Sequence, residues 1–170
     1  TAGTKARSIP AGKVGEAMID YKNILYCTDF SEDAEIAFVH AVDLAERYGA
    51  VLHVIHVLPS LHRYSPTEAT KERGESEVVN ATPELIAQAS DQLINRYRDR
   101  LSGIKEVNYQ VLAGTPFVEI LRYARDAQVD LIVLGAMGFS ELEPTHYGST
   151  VDQVSLRAHC HVMAIRNPEK

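Results

Sequence analysis

From Tyr21 onward, short apolar runs alternate with longer segments in which apolar residues recur at helical spacing. That alternation predicts a parallel sheet covered by helices, with five strands and four helices. Asn23 to Cys27 reads as the first strand. Ser31 then offers an N-cap, Glu32 and Asp33 suit the positive end of a helix dipole, and Ala34, Ala37, Phe38, Ala41, Val42 and Ala45 form one apolar face closed by Gly49. Val51 to Leu58 is β-branched and apolar enough for a strand buried on both faces, ended by Pro59.

From Leu61 to Asn80 the chain turns polar, with Pro66, Gly74 and mixed charges, which predicts an exposed, mobile excursion holding at most a fragment of helix. Thr82 and Pro83 then start a helix by cap and first-turn chemistry, and Leu85, Ile86, Ala89, Leu93, Ile94, Tyr97 and Leu101 carry its apolar face as far as Gly103. Glu106 to Leu112 is the third strand, and Thr115 and Pro116 open a third helix with Phe117, Ile120, Leu121 and Ala124 inward. Asp130 to Leu134 is the fourth strand, Thr150 to Ala158 a short last helix, and His161 to Arg166 a last strand stopped by Asn167 and Pro168. Thr1 to Asp20, with scattered glycines and charges and no apolar core, reads as a flexible leader before a single domain spanning 21–170.

Right-handed crossovers through this order of elements give an α/β fold, a doubly wound, Rossmann-like, five-stranded parallel sheet. Its ligand crevice would lie beyond the C-terminal ends of the strands, at the point where the strand order reverses. The residues at those ends are Cys27, Thr28 and Asp29, then Val57 and Leu58, then Gly114 and Thr115, and the segment from Gly135 onward.

Composition removes whole classes. The 17 Lys and Arg against 23 Asp and Glu give a net charge of −6, with no basic block to grip a phosphate backbone, so no nucleic-acid partner is expected. No apolar run approaches the roughly 18 residues of a membrane helix. Two cysteines, outside any CxxC or zinc spacing, suit a reducing compartment, and a cytoplasmic location is expected.

The strongest chemical feature is Gly135-Ala-Met-Gly138, nine residues, then Gly148-Ser149-Thr150. Gly135 and Gly138 let backbone approach a ligand closely. Gly148, Ser149 and Thr150 lead into a helix whose free N–H groups favour an anion. The same glycines would also serve a plain strand-to-helix turn, and spacing alone does not separate the two. There is no GxxxxGK[ST], GxGxxG or GxSxG pattern.

Three segments resemble the universal stress protein family, over nearly the whole chain from Tyr21 to Arg166. Tyr21-Lys-Asn-Ile-Leu-Tyr-Cys-Thr-Asp29-Phe-Ser-Glu-Asp-Ala is similar to the family's first strand and acidic turn. Gly114-Thr-Pro116 with Ile120 resembles its turn after the third strand. Gly135, Gly138, Gly148 and Ser149 fill the G-x2-G-x9-G-[ST] pattern of the ATP-binding branch. The resemblance implies a layout in which Asp29, with Thr28 beside it, lies near the ribose and a water-bridged Mg²⁺, and Val57 offers backbone contacts to adenine. Leu134, Gly135 and Gly138 would run along ribose and phosphates, with Gly148, Ser149 and Thr150 at the phosphates. Cys27 stands where some relatives have proline, which leaves its backbone contact in place. The resemblance also implies a homodimer in which His161 to Arg166 pairs with its twofold mate.

One departure bears on the ligand. Between Gly135 and Gly148 this chain has Glu141 and Glu143 and no Lys or Arg. A carboxylate about 4 Å from a phosphate charge costs on the order of 1 kcal/mol even in water, although Mg²⁺ reverses the sign. The nucleotide is therefore left open among ATP, ADP, AMP and a cyclic form. For Asp29 the plain alternative is a capping role beside Ser31.

Among the histidines, His53 and His56 are three apart and so point to opposite faces of their strand, while His159 and His161 would share a face, too few for a metal site. His146 lies in the glycine segment, where its charge could switch beside a phosphate. Cys27 and Cys160 fall at opposite ends of the sheet with a strand between them, too far apart for a disulfide. Three functions follow: a nucleotide-binding regulatory dimer in a stress response, a nucleotide-free scaffold of the same fold, and a slow ATPase. The last is disfavoured by the missing cation in the glycine segment.

Overall fold

A computed structural model describes residues 19–59, 61–63, 77–79, 81–137 and 149–168. Residues 1–18 of the expected leader, residues 64–76 and 80 of the polar excursion, and Gly138, Glu141, Glu143, His146 and Gly148 lie outside them.

The chain runs β1 (Asn23–Thr28), α1 (Glu32–Tyr48), β2 (Val51–Pro59), β3 (Leu61–Arg63), β4 (Glu77–Val79), α2 (Pro83–Tyr97), a 3-10 turn (Arg98–Leu101), β5 (Val107–Gly114), α3 (Pro116–Asp126), β6 (Leu131–Gly135), α4 (Ser149–Arg157) and β7 (His161–Ile165). Five strands form one sheet in the order β5-β2-β1-β6-β7, and every pairing in it is parallel. The order reverses between β1 and β6, so the expected doubly wound α/β sheet is the observed one.

Two apolar layers sandwich the sheet, because alternate residues of each strand face opposite ways. Ile24, Tyr26, Leu52, Val54, Leu131 and Val133 pack with Phe38 and Ala41 of α1 and Leu93 and Tyr97 of α2. Leu25, Cys27, Ile55, Ile132 and Leu134 pack with Ile120 and Ala124 of α3 and Val151 and Val154 of α4.

The helix ends follow the local chemistry. Ser31 is extended and its side chain accepts from the Ala34 N–H, and Gly49 at φ 60° closes α1 by donating to Ala45 and Glu46 carbonyls. Thr82 accepts from the Leu85 N–H ahead of Pro83. The second helix does not run α-helical to Gly103: it ends at Tyr97 and tightens into the 3-10 turn that carries buried Leu101.

Two further expectations change. Within the excursion β3 and β4 pair antiparallel, Leu61 opposite Val79 and Arg63 opposite Glu77. Three-residue strands are too short for an alternation to be read in sequence. β7 begins at His161, so His159 precedes the strand and does not share a face with His161. Its imidazole partner is Tyr21, whose hydroxyl lies 3.2 Å from His161 Nδ1.

Candidate functional site

β1 and β6 lie side by side, with Cys27 opposite Leu134, and the helices that follow them cover opposite faces of the sheet. The chain therefore diverges beyond these two strand ends, which is where doubly wound sheets place their ligand crevice.

On the β1 side the turn is built by side chains. The Phe30 N–H donates to Thr28 Oγ1 at 3.0 Å, and the Ser31 N–H to Asp29 Oδ1 at 3.0 Å. Asp29 is exposed and Ser31 buried, so Asp29 forms an Asx turn that leads into α1 while its carboxylate faces out. Phe30 sits at φ 65°, a left-handed conformation that costs a bulky residue about 1–3 kcal/mol.

On the β6 side the glycine segment begins against α1. A Cβ on Gly135 would lie 2.7 Å from the Ala34 nitrogen and 2.8 Å from the Asp33 carbonyl carbon, so only glycine fits without backbone movement. The Met137 N–H donates to Asp33 Oδ2 at 3.1 Å, and Ser31 Oγ donates to the Met137 carbonyl at 3.4 Å. The Ala136 N–H donates to the Ile165 carbonyl of β7 at 2.6 Å. Residues 135–137 are thus tied to the first turn of α1 and to β7 together.

Asp33 is 1% exposed, and its Oδ1 is buried with no hydrogen-bond partner among the described residues. Its place in the first turn lets the helix dipole offset part of the cost of burying that charge.

The residues expected from the sequence are distributed as follows. Thr28, Asp29 and Gly135 converge where β1 and β6 meet α1. Cys27 and Leu134 are neighbours, with side chains buried in the α3/α4 layer. Val57 lies one strand further out, opposite Leu112 of β5, and half-buried against the same layer. Ser149 is exposed and opens α4, followed by half-buried Thr150. Gly138 and Gly148 lie outside the described residues.

Reading the sequence missed a hydroxyl and charge cluster behind this turn. Tyr26 donates to the Ala34 carbonyl at 2.7 Å, Tyr97 donates to Glu35 Oε1 at 2.8 Å, and Thr28 Oγ1 lies 3.0 Å from the Tyr97 hydroxyl. With those two tyrosine protons committed, Thr28 must donate to Tyr97, and the 3.1 Å contact between the tyrosine oxygens carries no proton of its own. Arg96 Nε and Arg100 Nη1 each reach Glu35 at 2.8 Å. Burial pushes the Glu35 carboxyl up, but hydrogen bonds from Arg100, Arg96 and Tyr97 outweigh it and hold the group below its ordinary value. Burial raises the Tyr97 hydroxyl. Only the tyrosines at apolar-face positions hinted at this cluster.

The cysteine thiols are not activated. Burial pushes Cys27 far up, and Cys160 up to about 11. Both are free. Among the described residues no group of three or more His, Cys, Asp and Glu could hold a metal ion, and no helix is long and apolar enough to cross a membrane.

Comparison with known proteins agrees with this architecture. The universal stress protein family model matches residues 20–166. A Staphylococcus epidermidis protein named as a universal stress protein is 32% identical over 153 residues, covering 89% of this chain and 88% of that protein. The solved universal stress protein UspA from Lactobacillus plantarum matches with a TM-score of 0.68 and 28% identity, over 88% of this chain and all of that one (100%). Two other solved universal stress proteins share the fold. One, in complex with cAMP, has a TM-score of 0.59 and 19% identity over 86% of this chain and 98% of its own. The other, from Archaeoglobus fulgidus in complex with dAMP, has a TM-score of 0.51 and 21% identity over 87% and 99%. With a family match running from the residue before Tyr21 to Arg166, this chain belongs to the universal stress protein family.

Proposed function

We propose that this universal stress protein is an adenine-nucleotide-binding regulatory protein, acting as a homodimer in a stress response with little or no hydrolysis. The observation that carries the reading is the joining of the exposed Asp29 turn to the start of the glycine segment, through the Ser31–Met137 and Asp33–Met137 hydrogen bonds and the close packing of Gly135. An acceptor for ribose hydroxyls and the start of the glycine segment thus share one end of the sheet. The cAMP and dAMP bound by two proteins of the same fold support adenine as the base.

In this reading Asp29 takes the ribose, with Cys27 and Thr28 beside it, and the Val57 backbone meets adenine. Leu134, Gly135 and Gly138 line ribose and phosphates, and Gly148, Ser149 and Thr150 bind the phosphates at the first turn of α4. A bound Mg²⁺ would supply charge neutralisation to the phosphates. Asp29 is the exposed carboxylate suited to hold it through water, since Mg²⁺ takes one or two carboxylates, phosphate oxygens and several waters. Hydrolysis is slow or absent because no Lys or Arg lies between Gly135 and Gly148 to neutralise developing charge.

Glu141 and Glu143 favour a second reading, a nucleotide-free scaffold dimer. Isothermal titration of nucleotide-free protein with ATP and Mg²⁺ separates the two. Saturable binding at micromolar Kd, lost in Gly138→Val, is expected. No heat up to millimolar ATP at two temperatures would replace the regulatory reading with the scaffold.

A further inference from the structure

We propose that His56 is a positioning residue for Asp29: it holds the turn from Thr28 to Ser31 in the arrangement that leaves the Asp29 carboxylate exposed at the end of the sheet. Its consequence for ligand binding rests on the nucleotide reading above.

A phenylalanine at φ 65°, here Phe30, persists only where its surroundings over-determine the backbone, and such positions cluster where a ligand site needs them. Besides the Thr28–Tyr97 and Ser31–Met137 hydrogen bonds, four contacts converge on the turn. Two are local, from the Phe30 N–H to Thr28 Oγ1 and from the Ser31 N–H to Asp29 Oδ1. The other two come from elsewhere in the chain. The guanidinium of Arg96, on α2, stands 5.5 Å from the Phe30 ring centroid. The fourth contact is His56.

Pairing between β1 and β2 ends with Thr28 opposite His56. There the His56 Nδ1 lies 2.8 Å from the Thr28 carbonyl oxygen. A carbonyl only accepts, so Nδ1 carries the proton, and the ring's tautomer and orientation follow. The same ring packs against Phe30, with centroids 4.6 Å apart at a tilt of 37°. One side chain therefore clamps both the residue before Asp29, through its carbonyl, and the strained residue after it, through its ring. His53, three residues earlier, faces the other layer and touches neither.

Two measurements test this, one with no nucleotide present. In nucleotide-free protein, amide hydrogen exchange reads Phe30 and Ser31, whose N–H groups close the turn. His56→Phe keeps a ring and loses the donor, so both amides are expected to exchange at least about tenfold faster than in wild type, as for a locally opened segment. His56→Asn, which offers an amide N–H near the Nδ1 position, should restore most of the protection. His56→Leu repeats the donor loss with different packing should the phenylalanine not fold.

With ATP and Mg²⁺, His56→Phe is expected to weaken binding about three- to tenfold, the worth of one net hydrogen bond. That loss should vanish when Asp29→Ala is already present, because His56 acts through Asp29. Unchanged exchange at Phe30 and Ser31, or losses from His56→Phe and Asp29→Ala that simply add, would overturn the proposal. Wild-type protein that takes no ATP would sink the nucleotide reading alone. Faster exchange in His56→Phe would then still support the clamp, and unchanged exchange would still overturn it.

Discussion

His53 has both ring nitrogens matched. Asn23 donates its amide to the Gln128 carbonyl at 3.4 Å, which leaves Asn23 Oδ1 to accept from His53 Nε2 at 3.4 Å, while Nδ1 lies 2.9 Å from the Tyr123 hydroxyl. Burial, outweighing the nearby Glu106 charge, lowers the His53 pKa from its ordinary 6.5 and so favours the neutral ring, whose Nδ1 can accept from the Tyr123 hydroxyl. A group with a depressed folded pKa binds fewer protons folded than unfolded, so its contribution to stability is complete above the unfolded value. The contribution is then lost as pH falls from about 6.5 through the folded value. Urea midpoints from about pH 8 to about pH 5 should therefore fall in wild type and stay flatter in His53→Leu. An equal slope in both proteins would refute the neutral, buried histidine. Glu35 titrates in a separate window: its lowered pKa keeps its contribution intact above the ordinary 4.5, to be lost only in stronger acid. The opposite facing of His53 and His56 was legible from strand periodicity. Their partners were not, because Tyr123, Asn23 and Thr28 come from other elements.

At the scale of elements, helix starts were the most legible features. Ser31 and Thr82 carry the cap, and Gly49 the stop, by chemistry that acts within four residues of chain. The role of Gly135 was legible only in part. Its position at the end of a buried strand suggested close approach to a ligand, but the structure finds another neighbour first, the backbone of α1 at Asp33 and Ala34. Gly135→Ala must push β6 from α1 or distort the first helical turn, at a cost of about 1–3 kcal/mol, as for overpacking a well-filled core. Denaturant unfolding should show the loss, and a midpoint equal to wild type would mean that the contact relaxes freely. Hydrogen exchange at Met137, whose N–H is held by Asp33, should rise in the same variant.

For the whole molecule, the sheet order among the described residues leaves β7 at one edge, beside β6. An uncovered edge of parallel sheet invites pairing with another chain, and twofold pairing of β7 with its mate would close it. Val162 and Ile165 are half-buried in the single chain and pack on opposite faces of the sheet. Light scattering at micromolar concentration should give a dimer mass, and lysine at Val162 or Ile165 should shift it toward monomer. A monomer mass for wild type, with no exchange between tagged and untagged chains, would exclude this assembly. β5 forms the other edge among the described strands, with exposure alternating from Val107 to Val111 and Leu112 packed on the α3/α4 layer.

What the sequence by itself determined was what has a local or periodic cause over a whole element: the order of the five sheet strands and four helices, the caps at Ser31, Gly49 and Thr82, the parallel sheet and the glycine segment after the fourth strand. Those features survive because hydrophobic period, turn chemistry and crossover handedness act on short stretches of chain. The tertiary structure alone decided which distant residues meet. It brought Tyr97, Arg96 and Arg100 of the helix and 3-10 turn after β4 onto Glu35 of α1. It set His56 of β2 against Phe30 and Thr28, and it seated Gly135 on the α1 backbone. These contacts join residues up to about a hundred positions apart, and a hydrogen bond or a missing Cβ leaves no periodic trace along the chain by which to find its partner.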